Sequence, residues 1–200
     1  MSPSAWKKSW SPDPLVFRKT KTQQLPTGAH TFLETHGLPR VLVIECENPF
    51  ELRFKQVTKK LGLYTDRFGP NAFTDAEAQE WGDRYIIGDE EFCNGGAFFC
   101  VHRDTGTVTR IDPETSNPEM PVNSSLEQFA TALLILRNWS TKHDSTSGAA
   151  RRKAVAALRA DLKRNDRRDG FVSCLLRSIA SAEPNGYAVS ANPKHSKSRF

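Results

Sequence analysis

Asp89-Glu90-Glu91 is the densest acidic run of the chain, and Glu45 with Glu47 stands at the end of an expected Val41–Ile44 strand, where residues two apart share a face. Carboxylates grouped in this way serve either as acid and base in a cleft or as surface charge offered to a cationic partner. A catalytic reading also needs a nucleophile, a base and an orienting group. The sequence holds no G-x-S-x-G elbow, no glycine-rich loop ending in Lys-Ser or Lys-Thr and no H-E-x-x-H. His30, His36, His102, His143 and His195 are scattered, none beside a Cys or Ser in a catalytic spacing. The reading is therefore a protein without catalytic residues, whose partner-binding candidates are Asp89, Glu90, Glu91, Glu45 and Glu47.

Metal chemistry has little support in the pattern. Cys100 and His102 share one side of a strand with Cys93 nearby in sequence, but no C-x2-4-C or H-x3-5-H pair completes a closed zinc site. Buried thiols on a sheet are the expectation, with no metal and no cofactor. Cys46 and Cys174 lie far from these two, without the density of a disulfide scaffold.

The formal net charge of +5 conceals a regional split. Residues 31–141 hold 17 Asp and Glu against 10 Lys and Arg, whereas residues 142–170 hold 9 basic and 4 acidic residues. An acidic body suits a partner that is basic, such as a nuclease, because opposite charge steers encounter and fits a phosphate-binding groove. The basic segment from Arg151 to Arg168 supports a rival reading, binding of nucleic acid through phosphates. Ala154, Leu158 and Leu162 recur every four residues there, so one face is apolar and the arginines form its solvated side. That segment lacks zinc-finger spacing and an aromatic RNA-binding strand motif, which places nucleic acid second.

The elements that must hold these residues are legible in the chain. Tyr85–Asp89, Ala97–His102 and Thr107–Asp112 read as short antiparallel strands. The last two are joined by Arg103-Asp104-Thr105-Gly106, with Gly106 supplying a positive φ. Around Ala29–Leu33 a short helix is expected, ended by Gly37-Leu38-Pro39. Asn123–Trp139 reads as an amphipathic helix opened by a Ser124 and Glu127 capping box, with Phe129, Leu133 and Leu136 on its apolar stripe. Trp6 and Trp10, four apart, are expected to pack on the body.

Taken in order, FLETHGLPR at 32–40, YIIGDE at 85–90, DTGTVTRIDPE at 104–114 and VNSSLEQF at 122–129 resemble the SUKH superfamily, and within it the fourth subgroup of immunity proteins. The resemblance covers about residues 22–141 and continues into ALRADLKRNDRRDGFVSCLLRSIA, which looks like the subgroup's closing helices, with Phe171 and Leu175 where the subgroup usually carries tryptophan. It implies an α+β fold, a SUKH-like antiparallel sheet packed against helices with a C-terminal helical extension. It also implies neutralisation of a cognate protein toxin, often a nuclease, by stoichiometric occlusion. A related regulatory scaffold role is the other use of such a domain.

The expected organisation is an N-terminal segment over 1–21, the SUKH-like domain over 22–141, helices at about 149–165 and 170–182 within the same domain, and a flexible tail over 183–200. No stretch reaches the roughly 18 apolar residues of a membrane span. With no continuous apolar segment near the start, a cytoplasmic location without membrane contact is expected. Exchanging Asp89, Glu90 and Glu91 for lysine is expected, on this reading, to slow toxin association while leaving thermal stability nearly unchanged.

Overall fold

The structure, a computed structural model, describes residues 1–13, 15–16, 25–44, 50–54, 63–67, 73–91, 97–112, 119–143 and 148–167. Glu45, Glu47, Cys93, Phe171, Leu175, the expected helix at 170–182 and the tail at 183–200 lie outside the described residues.

Helix α1 (Pro3–Ser9) opens at Ser2, whose hydroxyl accepts from the Ala5 N–H, with proline in the first turn where no donor is needed. Strand β1 (Leu15–Val16) leads to helix α2 (Thr27–Thr35) and strand β2 (Leu38–Pro39), which pairs antiparallel with β1. Gly37 ends α2 as expected, since at φ 70° its N–H turns back to the Phe32 carbonyl at 3.0 Å.

Strands β3 (Val41–Ile44) and β4 (Phe50–Arg53) come next. A single 3-10 turn (Thr65–Arg67) and helix α3 (Asp75–Trp81) precede β5 (Arg84–Glu91), β6 (Phe98–His102), β7 (Val108–Ile111) and β8 (Glu119–Asn123). Strands β3 to β8 form one six-stranded antiparallel sheet in chain order. The β6–β7 turn bears out the role expected of Gly106, which has φ 71° and donates to the His102 carbonyl at 3.0 Å. Helix α3 carries a capping box between Thr74 and Glu77, and hydrogen bonding from Thr74 holds the Glu77 carboxyl below its usual range.

Helices α4 (Leu126–His143) and α5 (Gly148–Asn165) close the described fold. One face of the sheet packs on α4 through Leu52, Phe54, Phe99 and Val101, which meet Phe129, Leu133 and Leu136 in a core that also takes in Trp6 and Trp10. The N-terminal tryptophans are thus packed, as their spacing suggested. Ala154, Val155, Leu158 and Leu162 of α5 are buried in the same core, and the Trp139 indole N–H donates to the Ala154 carbonyl at 3.1 Å.

The cap of α4 sits one residue later than the sequence suggested. Ser125, not Ser124, stands before the first helical residue, and its hydroxyl accepts from the Gln128 N–H at 3.2 Å. Ser124 is instead taken by Asp166, just past α5, which accepts from its N–H at 2.5 Å and its hydroxyl at 3.0 Å. Asn123 donates to the same carboxylate at 3.3 Å. Asp166 is buried, so it gathers three donors in low dielectric and staples the end of α5 to the start of α4. Asp166→Ala is expected to lower stability by about 2 kcal/mol, read from denaturant unfolding, because those donors lose a charged acceptor.

Candidate functional site

The three consecutive acids of β5 do not act as one cluster, because strand alternation divides them. A register shift between Ile86 and Gly88 sets the phase for the end of the strand. Gly88 faces the helix layer, where an added Cβ would lie 2.6 Å from Phe54 Cδ1 and 2.8 Å from the Arg53 carbonyl oxygen. The close pass of the Phe54 ring therefore requires glycine. Asp89, opposite Arg53 on one side and Phe98 on the other, takes the outer face. Glu90 then turns back to the helix side beside Leu52, and Glu91 sits at the outer register position opposite Glu51.

Glu90 is only 7% exposed and accepts from Arg110 Nε at 2.7 Å. Arg110 Nη1 also donates to Asp112 at 3.3 Å, so the guanidinium joins two carboxylates at the rim of the core. The sequence placed Glu90 among exposed partner-binding acids. In the fold its carboxylate is engaged internally, and its exchange for lysine would not leave stability nearly unchanged. Asp89 is half-buried on the outer face.

A second polar group, not singled out in the sequence, lies at the other end of β5. His102 Nδ1 accepts from the Asp104 N–H at 3.0 Å and the Thr105 N–H at 3.3 Å, which leaves the proton on Nε2, 3.0 Å from Asp83 Oδ2. Arg84 donates to Asp83, and its Nε reaches Glu119 at 3.1 Å. Ligand atoms of Asp83, His102 and Asp104 fall within 4.8 Å of one another. Each is already held, since Asp104 pairs with Arg103, and the arrangement reads as a brace for the β6–β7 turn. The signal available in the sequence was Asp104 in a tight turn two residues past a strand-ending histidine.

Between these ends the outer face carries an aromatic patch. Tyr64 meets Phe73, Trp81 and Phe98 with ring centroids 5.6 to 5.8 Å apart, over Cys100 and Ile111. Burial pushes the Cys100 thiol well above its usual range and the Tyr64 hydroxyl up to about 12, so both stay protonated at neutral pH. Cys100 and His102 do share this face, as expected, but His102 serves Asp83.

On α5 the basic residues Arg152, Lys153, Arg159, Lys163 and Arg164 are exposed, opposite the apolar face that meets α4. They form the solvated side that the four-residue repeat implied. Among the described residues no helix is long and apolar enough to cross a membrane.

No curated protein and no solved structure matches the chain. A family model described as SUKH-4 immunity protein matches residues 18–167. The match takes in the sheet, α4 and all of α5, and begins after α1, so the Trp6 and Trp10 segment lies outside it. With the sheet, its flanking helices and the basic closing helix all inside one continuous match, this chain belongs to the SUKH-4 immunity protein family.

Proposed function

We propose that this chain neutralises a bacterial polymorphic toxin, a nuclease, by binding it one to one in the cytoplasm and occluding its nucleic-acid groove. Family membership across residues 18–167 carries the reading. The sign of the charge supports the nuclease assignment, because the 17 acidic and 10 basic residues of the 31–141 body favour a basic surface. Asp89 stays on the outer face, and it would act at the rim of a contact of about 1,600 Å² in total. No catalytic residue and no cofactor enter this mechanism.

The test uses the tagged full-length chain as bait in lysate and secreted protein of its own cells, followed by purification of the captured toxin's C-terminal domain. Titrating the chain into that domain should abolish nuclease activity at one equivalent, and Asp89→Lys should slow association and flatten its salt dependence. Capture of no toxin, or activity that persists with excess chain, overturns the proposal.

One observation favours a second reading. The exposed cations of α5 would bind a phosphate backbone, in which case affinity for a random duplex should fall steeply with salt.

A further inference from the structure

Helix α5 turns two kinds of side chain to solvent. Ala149, Ala156 and Ala160 run along the middle of its exposed face, with Arg152, Arg159 and Lys163 on one flank and Lys153 and Arg164 on the other. Members of each set recur seven or eleven residues apart, close to whole turns of helix, so each set forms a line along the axis. Arg167, exposed as well, stands just past the helix end.

The charge of this face has nearly one sign. Asp161, the acid within α5, is half-buried and takes a hydrogen bond from Arg164. Among the described residues, Lys153, Arg159 and Arg167 hold no ion pair or hydrogen bond, whereas Arg152 and Lys163 keep contacts of their own. Three cations, one on each flank and one beyond the end, are therefore open to a partner. The helix under them is fixed, because Leu158 and Leu162 are buried in the core, the Trp139 indole holds the Ala154 carbonyl and Asp166 holds Ser124.

A polyanion fits that charge, and the shape selects which one. The two cationic lines lie about 100° apart on a helix about 10–12 Å across with its side chains, so their long arms reach both walls of a groove roughly 12 Å wide. Alanine between the lines lets the helix enter deeply. The major groove of B-form DNA has this width, whereas that of A-form RNA is too narrow to admit a helix. Alanine is too small to anchor the helix in a lipid interface or to form the aromatic centre of a protein contact. Nor can it read base edges by hydrogen bonds.

We propose that α5 is a sequence-independent docking helix for double-stranded DNA, seated in the major groove with Lys153 and Arg159 on the phosphates of opposite strands and Arg167 on the backbone beyond. The inference rests on the nucleic-acid reading above. It uses a surface separate from the outer sheet face that holds Asp89 and does not require the toxin.

The experiment titrates the full-length chain into a labelled DNA duplex of random sequence, roughly two helical turns long, over a range of salt. Affinity should fall steeply as salt rises. Exchanging Lys153, Arg159 and Arg167 together for glutamine should weaken binding at least about 10-fold and lower the salt slope by about 3, since each lost phosphate contact removes roughly 0.9. Ala156→Trp keeps every charge but fills the ridge, and is expected to cost about 10-fold on the same duplex. On the unaltered chain, duplex DNA should shield Lys153 from acetylation, a readout that needs no variant. If the chain binds no duplex at low salt, this inference and the nucleic-acid reading fall together. If duplex is bound but both variants bind as tightly as wild type and Lys153 stays reactive, α5 is overturned while nucleic-acid binding stands elsewhere on the chain. Equal affinity for double-stranded RNA overturns the groove. Binding to anionic lipid vesicles in place of duplex gives the face to a membrane and also overturns the proposal.

Discussion

Glu90→Lys is expected to lower the unfolding free energy by about 3 kcal/mol, while Asp89→Lys, one residue earlier, shifts it by less than about 1 kcal/mol. The contrast follows from alternation on β5. Glu90 is buried and its carboxylate lies 2.7 Å from Arg110 Nε. Lysine there would leave the guanidinium facing a second cation in a poorly solvated place, with the Asp112 carboxylate still 3.3 Å away on its other side. Removing one member of a buried pair costs far more than the pair is worth, because the survivor remains desolvated and poorly matched. For a chain of this size the loss corresponds to a fall in Tm of roughly 6 to 12 °C. Differential scanning calorimetry of the two single variants checks it. Equal melting temperatures would mean that Glu90 contributes no more than a surface carboxylate. The practical consequence concerns toxin kinetics: replacing all three acids together would confuse unfolding with lost binding, so the binding test belongs to Asp89 alone.

Trp10→Ala is expected to cost about 3–5 kcal/mol, the range for deleting a fully buried aromatic side chain. Trp10 is completely buried, meets Trp6 edge to face at 5.8 Å and lies under the Arg137 guanidinium, whose Cζ is 5.5 Å from its ring. Arg137 also holds the segment by three hydrogen bonds, from Nε to Asp13 at 2.6 Å, from Nη1 to the Ser9 carbonyl at 3.1 Å and from Nη2 to the Ser11 carbonyl at 3.3 Å. Trp6 in turn packs on Phe32 and His36, which stack at 5.0 Å. Removing the Trp10 ring therefore leaves a cavity and loosens the grip of α4 on residues 1–13. Urea unfolding should show the loss as a lower midpoint. Limited proteolysis should then cut first within α1. A variant with wild-type stability would show that the segment merely rests on the core. The segment precedes the residues matched by the family model, yet it packs into the same core as the matched helices.

Much of the architecture was readable because its signals are local. The positive-φ glycines at 37 and 106, the β-branched runs of β3, β6 and β7 and the apolar stripes of α4 and α5 each depend on neighbours within a few residues. Two strands of the six-stranded sheet were not read, nor were the two short strands β1 and β2. The β4 strand has four residues, with a charge at two of them, and β8 carries a proline and two polar ends. Both are strands because neighbours in the sheet pair with them.

The candidate site was legible in composition but not in arrangement. The sequence alone determined an acidic body, a basic closing helix, the order of the main elements and the family to which they belong. Only the tertiary structure decided that Glu90 belongs to Arg110, that Asp166 takes the serine expected to cap α4, and that Arg137 clamps a segment 124 residues away. It also decided that β3 ends the strand order of the described sheet, with Val41 and Val43 exposed on it. The physical reason is that propensity and periodicity act over one or two turns of chain. The partner of a buried charge, by contrast, is set by which distant strand or helix the core brings within about 3 Å of it.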